Sequence, residues 1–331
     1  MIRLLISSAG RRVELMQCFR KAAHLLNLDL EIIAVDMNPA WSPACQIADR
    51  AYEVPACSDP VFLNEVISIC KKHKVDAVIP TIDTELLGYA INRDHFLSVN
   101  TKVLVSAPKV IRIARDKGET ASVLGQHGIG VPKTWCVSDI VAGGQDPKYP
   151  IIIKPKDGSA SKGISIIQGF ADLKNMSIES ERYILQELCS GKEFTVNCFY
   201  DPSGKCQACV PHYRKMVRDG EVCFAETVRV QEFRNIADCL SKIFPGIQGC
   251  ICYQAFLSDD GDVKVFEINA RFGGGYPICD FAGGTFAKWI LQDLMGDLPA
   301  YHDGWSEGVR MLRYDAAIFS NGEKALEPVS F

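Results

Sequence analysis

Tyr253-Gln254-Ala255-Phe256, a turn at Ser258-Asp259-Asp260-Gly261-Asp262, and then Val263-Lys264-Val265-Phe266-Glu267-Ile268-Asn269-Ala270-Arg271 read as a β-hairpin whose second strand carries the chemistry. Side chains alternate along a strand, so Glu267, Asn269 and Arg271 share one face while Phe266, Ile268 and Ala270 turn toward a core. A register that sets Gln254 opposite Glu267 gives the polar face one carboxylate, two amide oxygens and a guanidinium. Mg²⁺ takes oxygen ligands and completes its shell with water and substrate phosphates. An arginine beside it grips a phosphoryl group. The competing reading is the solvated polar face of an edge hairpin, and this segment alone leaves both open.

Working back, Tyr149-Pro150-Ile151-Ile152-Ile153-Lys154 is an apolar strand that delivers a lysine at its end. The loop Pro155-Lys156-Asp157-Gly158-Ser159-Ala160-Ser161-Lys162-Gly163 follows at once. Glycine lets backbone N–H groups approach phosphate oxygens, and serine hydroxyls add donors. Gly158, Ser159, Ser161 and Gly163 are therefore candidate phosphate contacts. The spacing is not that of a Walker A loop, and a plain hairpin turn reads equally well. Between loop and hairpin lies Leu185-Gln186-Glu187-Leu188-Cys189-Ser190-Gly191-Lys192-Glu193-Phe194, a strand running into a turn with carboxylates on both sides. Its backbone suits an adenine edge and its carboxylates suit ribose hydroxyls.

Further back, the first hundred residues alternate strand and helix. Apolar runs at 3–6, 31–35, 51–54, 76–79 and 103–106 are separated by helical faces such as Val13, Met16, Phe19, Ala23 and Leu26, which predicts a doubly wound parallel sheet with helices on both faces. A helix is predicted over 112–127. From residue 151 short strands at 151–154, 163–167, 183–186, 194–200 and 206–211 predict a mixed α+β region, with helices at 235–244 and 285–295. The expected division is 1–107, 108–190 and 191–331. The chain of 331 residues is long enough for two or three domains at roughly 100–200 residues each.

These segments and their order resemble the ATP-grasp superfamily, and in particular a single ATP-grasp unit of the carbamoyl-phosphate synthase large subunit. The resemblance covers nearly the whole chain, with 1–107 in the place of the preATP-grasp domain and two α+β subdomains after it. It implies that Asp116-Lys117 supplies the family's first basic residue, Lys154 the second, and 156–163 the mobile glycine-rich loop. Glu187-Leu188, with Gln186 before them, match the adenine-binding linker, and Glu193 the ribose carboxylate. Gln254, Glu267 and Asn269 match the metal ligands, and Arg271 the phosphate-side arginine. The glutamine at 254 is closer to the carbamoyl-phosphate synthase branch than to branches with a carboxylate there. The chain departs from that enzyme in having room for one grasp unit and no glutamine amidotransferase segment.

The resemblance implies an ATP-dependent carboxylate–amine ligase with ATP and Mg²⁺ (or Mn²⁺) as cofactors. Lys117 and Lys154 would hold the α- and β-phosphates, Arg271 would stabilise the transferring phosphoryl group, and closure over 158–163 would exclude water from an acyl phosphate. The substrates would be a small-molecule carboxylate and an amine. Gly273, Gly274 and Gly275 read either as a carboxylate nest or as a turn. Thr81, Asp83 and Glu85 are candidate substrate contacts, and His212, Arg214, Lys215 and Arg218 read first as a solvated charged strand. Two other functions stay on the table. Ser7-Ser8-Ala9-Gly10-Arg11-Arg12 with Asp36 resembles a weak dinucleotide turn, the seed of a nicotinamide-dependent oxidoreductase; a non-catalytic ATP-binding module is the third reading.

The bulk numbers exclude other classes. A net charge of −4 gives no electrostatic reason to expect nucleic acid or an anionic membrane surface. No run reaches a membrane span and no signal peptide is visible, so a cytoplasmic protein is expected, with a homodimer a common outcome. The fourteen cysteines are scattered and read as free, packed thiols, including the Cys206/Cys209 CxxC, which lacks a second pair for zinc.

Overall fold

The computed structural model describes residues 1–145, 147–158, 162–176 and 179–320. Ser159 and Ser161, two of the candidate phosphate contacts, lie outside the described residues. Strands β1 (Ile2–Ser7), β2 (Leu30–Asp36), β3 (Arg50–Glu53), β4 (Ala77–Pro80) and β5 (Lys102–Val103) form a parallel sheet in the order β3-β2-β1-β4-β5. Alternation splits β1, β2 and β4 between two cores. Leu5, Ile33, Val35 and Val78 pack with Phe62, Val66, Leu86 and Tyr89 on one face, while Leu4, Ile6, Ile32 and Ile79 pack with Leu15, Met16 and Phe19 on the other. This is the expected doubly wound sheet. Its strand order reverses between β1 and β4, which leaves a crevice beyond their carboxyl ends, at Ser7–Arg12 on one side and Thr81–Thr84 on the other.

The rest of the chain builds two antiparallel sheets. Strands β6 (Thr134–Cys136), β7 (Ile151–Pro155), β8 (Ser165–Ile167) and β9 (Tyr183–Glu187) are ordered β6-β9-β7-β8. Strands β10 (Lys192–Tyr200), β11 (Cys206–Arg218), β12 (Glu221–Thr227), β13 (Gly249–Leu257), β14 (Val263–Asn269) and β15 (Arg310–Leu312) are ordered β14-β13-β10-β11-β12-β15. Helix Phe286–Met295 seats Phe286, Trp289 and Leu291 in the same core as Leu4 and Phe19, and Ile268 and Ala270 share the other core with Leu86 and Ile111. The N-terminal sheet and the last sheet are thus joined through both cores.

Several local expectations are corrected. The single helix over 112–127 is two, Pro108–Arg115 and Lys117–Gln126. Asp116 breaks it by leaving helical geometry and accepting hydrogen bonds from the Gly118 and Glu119 amides (2.8 and 3.0 Å), so that Lys117 opens the second helix. A bulge between Gln254 and Ala255 sets Gln254 opposite Glu267 but Ala255 opposite Val265. Val265 takes the core position and Phe266, expected in a core, instead stacks near Phe256 (ring centroids 5.0 Å) on the site side. Strands β12 and β15 and helix Tyr276–Ala282 carried too little apolar periodicity to be read. Among the described residues, no helix is long and apolar enough to cross a membrane. All fourteen cysteines are free, and Cys206 and Cys209 are buried on β11.

Candidate active site

The C-terminal ends of β1 and β4, the exposed face of β10, β11, β13 and β14, and the 273–275 glycines enclose a cleft of about 310 Å³. Gln254, Glu267, Asn269 and Arg271 all line it, together with Arg12, Asp83, Thr195, Arg214 and Glu221. Lys117 and Lys154 approach from the side. Both are nearly buried, at 8% and 5% exposure, which is unusual for lysine and demands charge partners. Lys117 Nζ donates to the Gly158 carbonyl (2.6 Å) and lies 3.3 Å from Glu267 Oε1. Lys154 Nζ stands over the Phe266 ring at 5.3 Å, a contact created by the bulge. Burial pulls the Lys154 ammonium down to about 8; Glu267 opposes this and Lys117 adds to it.

Gln254 Nε2 donates to Glu267 Oε2 (3.2 Å), as the expected register requires. Glu267 therefore offers two oxygens, Asn269 an amide oxygen and Gln254 another, all at one edge of the cleft. A single carboxylate with neutral oxygens suits a hard divalent cation that takes its remaining ligands from phosphates and water. The donor set therefore fits Mg²⁺. The Arg271 guanidinium is fixed from two directions, donating to Asp83 Oδ2 (2.6 Å) and to Asn269 Oδ1 (3.2 Å). Burial alone would lower its pKa, but Asp83 outweighs that and holds it above the ordinary arginine value. Asp83, at the start of helix Asp83–Ile91, thus carries the N-terminal sheet's grip on Arg271.

Glu85, two residues on, is buried and its carboxylate accepts from Ser7 Oγ (2.6 Å), Ser8 Oγ (2.8 Å) and the Thr81 and Ile82 amides (2.7 and 3.2 Å). Burial raises its pKa and those donors oppose the rise. It pins the 81–83 turn rather than lining the cleft. Asp36 accepts from the Gly10 and Asn38 amides (2.9 and 3.1 Å), so the carboxylate that a dinucleotide ribose would use closes its own turn. The oxidoreductase reading is not favoured.

The linker residues divide. Gln186 is buried with its amide donating to Thr134 Oγ1 (2.8 Å). Glu187 accepts from the Lys133 amide (3.0 Å) and from Lys264 Nζ (2.5 Å), while Leu188 beside it is exposed. Glu193 pairs with Arg214 Nε at 2.8 Å; burial raises its pKa, Arg214 opposes and Glu267 adds to the rise. Gly158 and Gly163 both press on the Pro155 ring, where an added Cβ would meet ring carbons at 3.1 and 3.0 Å.

The basic cluster on β11 also divides. Arg214 faces the cleft and donates to Thr195 Oγ1 and the Gly220 carbonyl, each at 3.2 Å. Lys215 pairs with Glu226 and Arg218 with Asp315. His212 is fully buried, accepts from the Asn197 amide at Nδ1 (3.3 Å), and is pushed down to about 3 chiefly by burial, so it is neutral. Arg12 and Arg313, which no motif singled out as site residues, flank Glu221 at the cleft rim. Arg12 follows Gly10 in the turn after β1, and no local pattern marks Arg313.

Residues 4–104 match the PylC-like N-terminal domain family and residues 114–275 match an ATP-grasp domain family. The chain thus carries an ATP-grasp domain after a PylC-like N-terminal domain. It is 24% identical over 301 residues to the carbamoyl phosphate synthase large chain of Methanobrevibacter smithii, covering 81% of this chain and 28% of that relative. The ATP-grasp chain therefore spans under a third of that relative's length. Its fold is shared with the biotin carboxylase domain of the Hydrogenobacter thermophilus 2-oxoglutarate carboxylase, solved with MgADP and bicarbonate (TM-score 0.72, 14% identity, 93% of this chain and 73% of that one). It is also shared with N5-carboxyaminoimidazole ribonucleotide synthetase from Thermotoga maritima (TM-score 0.66, 19% identity, 92% and 78%). The expected fold class and the family resemblance both hold.

Proposed function

We propose that this ATP-grasp protein phosphorylates a small-molecule carboxylate with ATP and passes the acyl group to an amine. The observation that carries the reading is that Gln254, Glu267, Asn269 and a clamped Arg271 line one cleft, with Lys117 3.3 Å from Glu267 and Lys154 over the neighbouring Phe266 ring. A carboxylate oxygen forms a bond to the γ-phosphorus while the bridging P–O bond of ATP breaks and ADP leaves. The amine then attacks the acyl carbon, the C–O bond to phosphate breaks, and the nitrogen loses a proton. Every step gathers negative charge on oxygen, so positioned cations do most of the work.

In this reading Lys117 and Lys154 hold the nucleotide phosphates and Arg271 meets the transferring phosphoryl group. Glu267 and Asn269, with Gln254, would hold Mg²⁺ or Mn²⁺, which supplies charge neutralisation at the phosphates. Gln186, Glu187, Leu188 and Glu193 border the nucleoside, with Gly158, Ser159, Ser161 and Gly163 in the phosphate loop. The Glu187 and Glu193 carboxylates would have to trade Lys264 and Arg214 for ribose hydroxyls, so the Glu187 and Leu188 backbone is the better adenine contact. The domain division 1–107, 108–190 and 191–331 goes with this reading. A screen for ADP release with Mg-ATP and pools of acids and amines tests it. One pool should stimulate release, and Lys154→Ala or Glu267→Ala should abolish it; full activity in both variants sinks the assignment.

A further inference from the structure

Glu221 opens β12 directly after Asp219 and Gly220, both in left-handed backbone conformation (φ 52° and 78°). Its carboxylate reaches the cleft between Arg12 Nη1 (3.8 Å) and Arg313 Nη1 (3.5 Å). Both contacts are longer than a charge-assisted hydrogen bond, which runs about 2.7–2.9 Å. Each arginine also has a backbone carbonyl to donate to. Arg313 Nη2 donates to the Gly274 carbonyl (2.8 Å) and Arg12 Nη2 to the Thr81 carbonyl (3.4 Å). Gly274 completes the enclosure: a Cβ there would lie 1.7 Å from Glu221 Oε2, so the missing side chain is the space the carboxylate fills.

We infer that Arg12, Arg313 and the open face of Gly274 form a carboxylate subsite, and that Glu221 occupies it as an internal stand-in that a substrate carboxylate displaces. Three features support displacement over a fixed structural pair. The contacts are loose, the Glu221 side chain is 36% exposed and free to swing into solvent, and both guanidiniums remain anchored on carbonyls once it leaves. Partly exposed pairs of this kind are weak, so a planar carboxylate in good bidentate geometry outcompetes them. The inference rests on the ligase reading for its setting and names the ligand class the reading leaves open. The carboxylate has two sources: the acid that is phosphorylated, or a second carboxylate carried by the amine.

The test separates binding from turnover. Thermal-shift titrations without ATP use propionate, which carries a carboxylate and no ammonium, and ethylamine, which carries the reverse. Removing the internal competitor in Glu221→Gln is expected to tighten propionate about fivefold, and Arg313→Gln to abolish its effect. Equal propionate affinity in all three proteins overturns the subsite. Loss of an ethylamine response in Glu221→Gln also overturns it, by making Glu221 an ammonium acceptor. Under turnover, capping the amine's own carboxylate as an amide raises KM if the amine is the source. A fall in kcat for Arg313→Gln, with KM for the amine unmoved, assigns the subsite to the acid. If the propionate series holds and no pool releases ADP, the ligase reading fails and the subsite stands. If ADP is released and the propionate series is flat, the subsite alone fails.

Discussion

Replacing Lys154 by methionine should make the protein more stable and inactive at once. The lysine is 5% exposed, and burial brings it from the ordinary 10.5 to about 8 against the pull of Glu267. A drop of that size amounts to about 3 kcal/mol of folding free energy spent on holding the charged form. At neutral pH the lysine is protonated in both the folded and the unfolded chain, so the whole penalty is present. Between about 8 and 10.5 the unfolded chain keeps the proton and the folded chain releases it, so wild-type stability rises across that window. Methionine keeps the unbranched stem over Phe266 and removes the charge, and Lys117 still pairs with Glu267 at 3.3 Å. Urea unfolding at neutral pH should show Lys154→Met more stable by about 2–3 kcal/mol. The gap should narrow as pH climbs from 8 to 10.5, and ADP release should fall about a hundredfold or more. A variant less stable than wild type at neutral pH, or one that keeps wild-type turnover, refutes the reasoning.

Arg271→Met leaves Asp83 unpaired in a nearly closed site and should destabilise the fold by about 3 kcal/mol. Adding Asp83→Asn should restore most of that stability in denaturation curves without restoring ADP release. Asp116→Ala removes two helix-capping bonds beside Lys117 and should lower stability by about 1 kcal/mol while raising KM for ATP a few-fold, read by melting and ATP titration. Gly163→Ala places a side chain at φ 73° and 3.0 Å from the Pro155 ring. A loss of about 1–2 kcal/mol is expected in thermal melts.

The fold was legible because both periodicities were clean. The N-terminal strands are apolar on both sides, which only a sheet covered on both faces explains, and Gln254 faces Glu267 as the hairpin pattern demanded. What stayed hidden depended on long-range packing. The bulge after Gln254 shifts Phe266 out of the core and under Lys154, and no local pattern announces it. Asp116 reads as one more polar residue in a helical stretch until its side chain is seen capping the next helix. Arg12, Asp83 and Glu221 are distant in sequence and line one cleft, with Arg313 paired to Glu221, only because the last sheet folds against the crevice of the first. The carboxylates at Glu187 and Glu193 matched the nucleoside pattern, yet each has a protein cation of its own, which spacing could not reveal.

The central claim is that ATP activates a carboxylate, and the path of one oxygen atom tests it most directly. The acid from the stimulating pool is labelled with ¹⁸O in its carboxylate and turned over with Mg-ATP and the amine. An acyl-phosphate route predicts one labelled oxygen in each inorganic phosphate released alongside ADP. Phosphate that emerges unlabelled while ADP and amide accumulate would contradict the account.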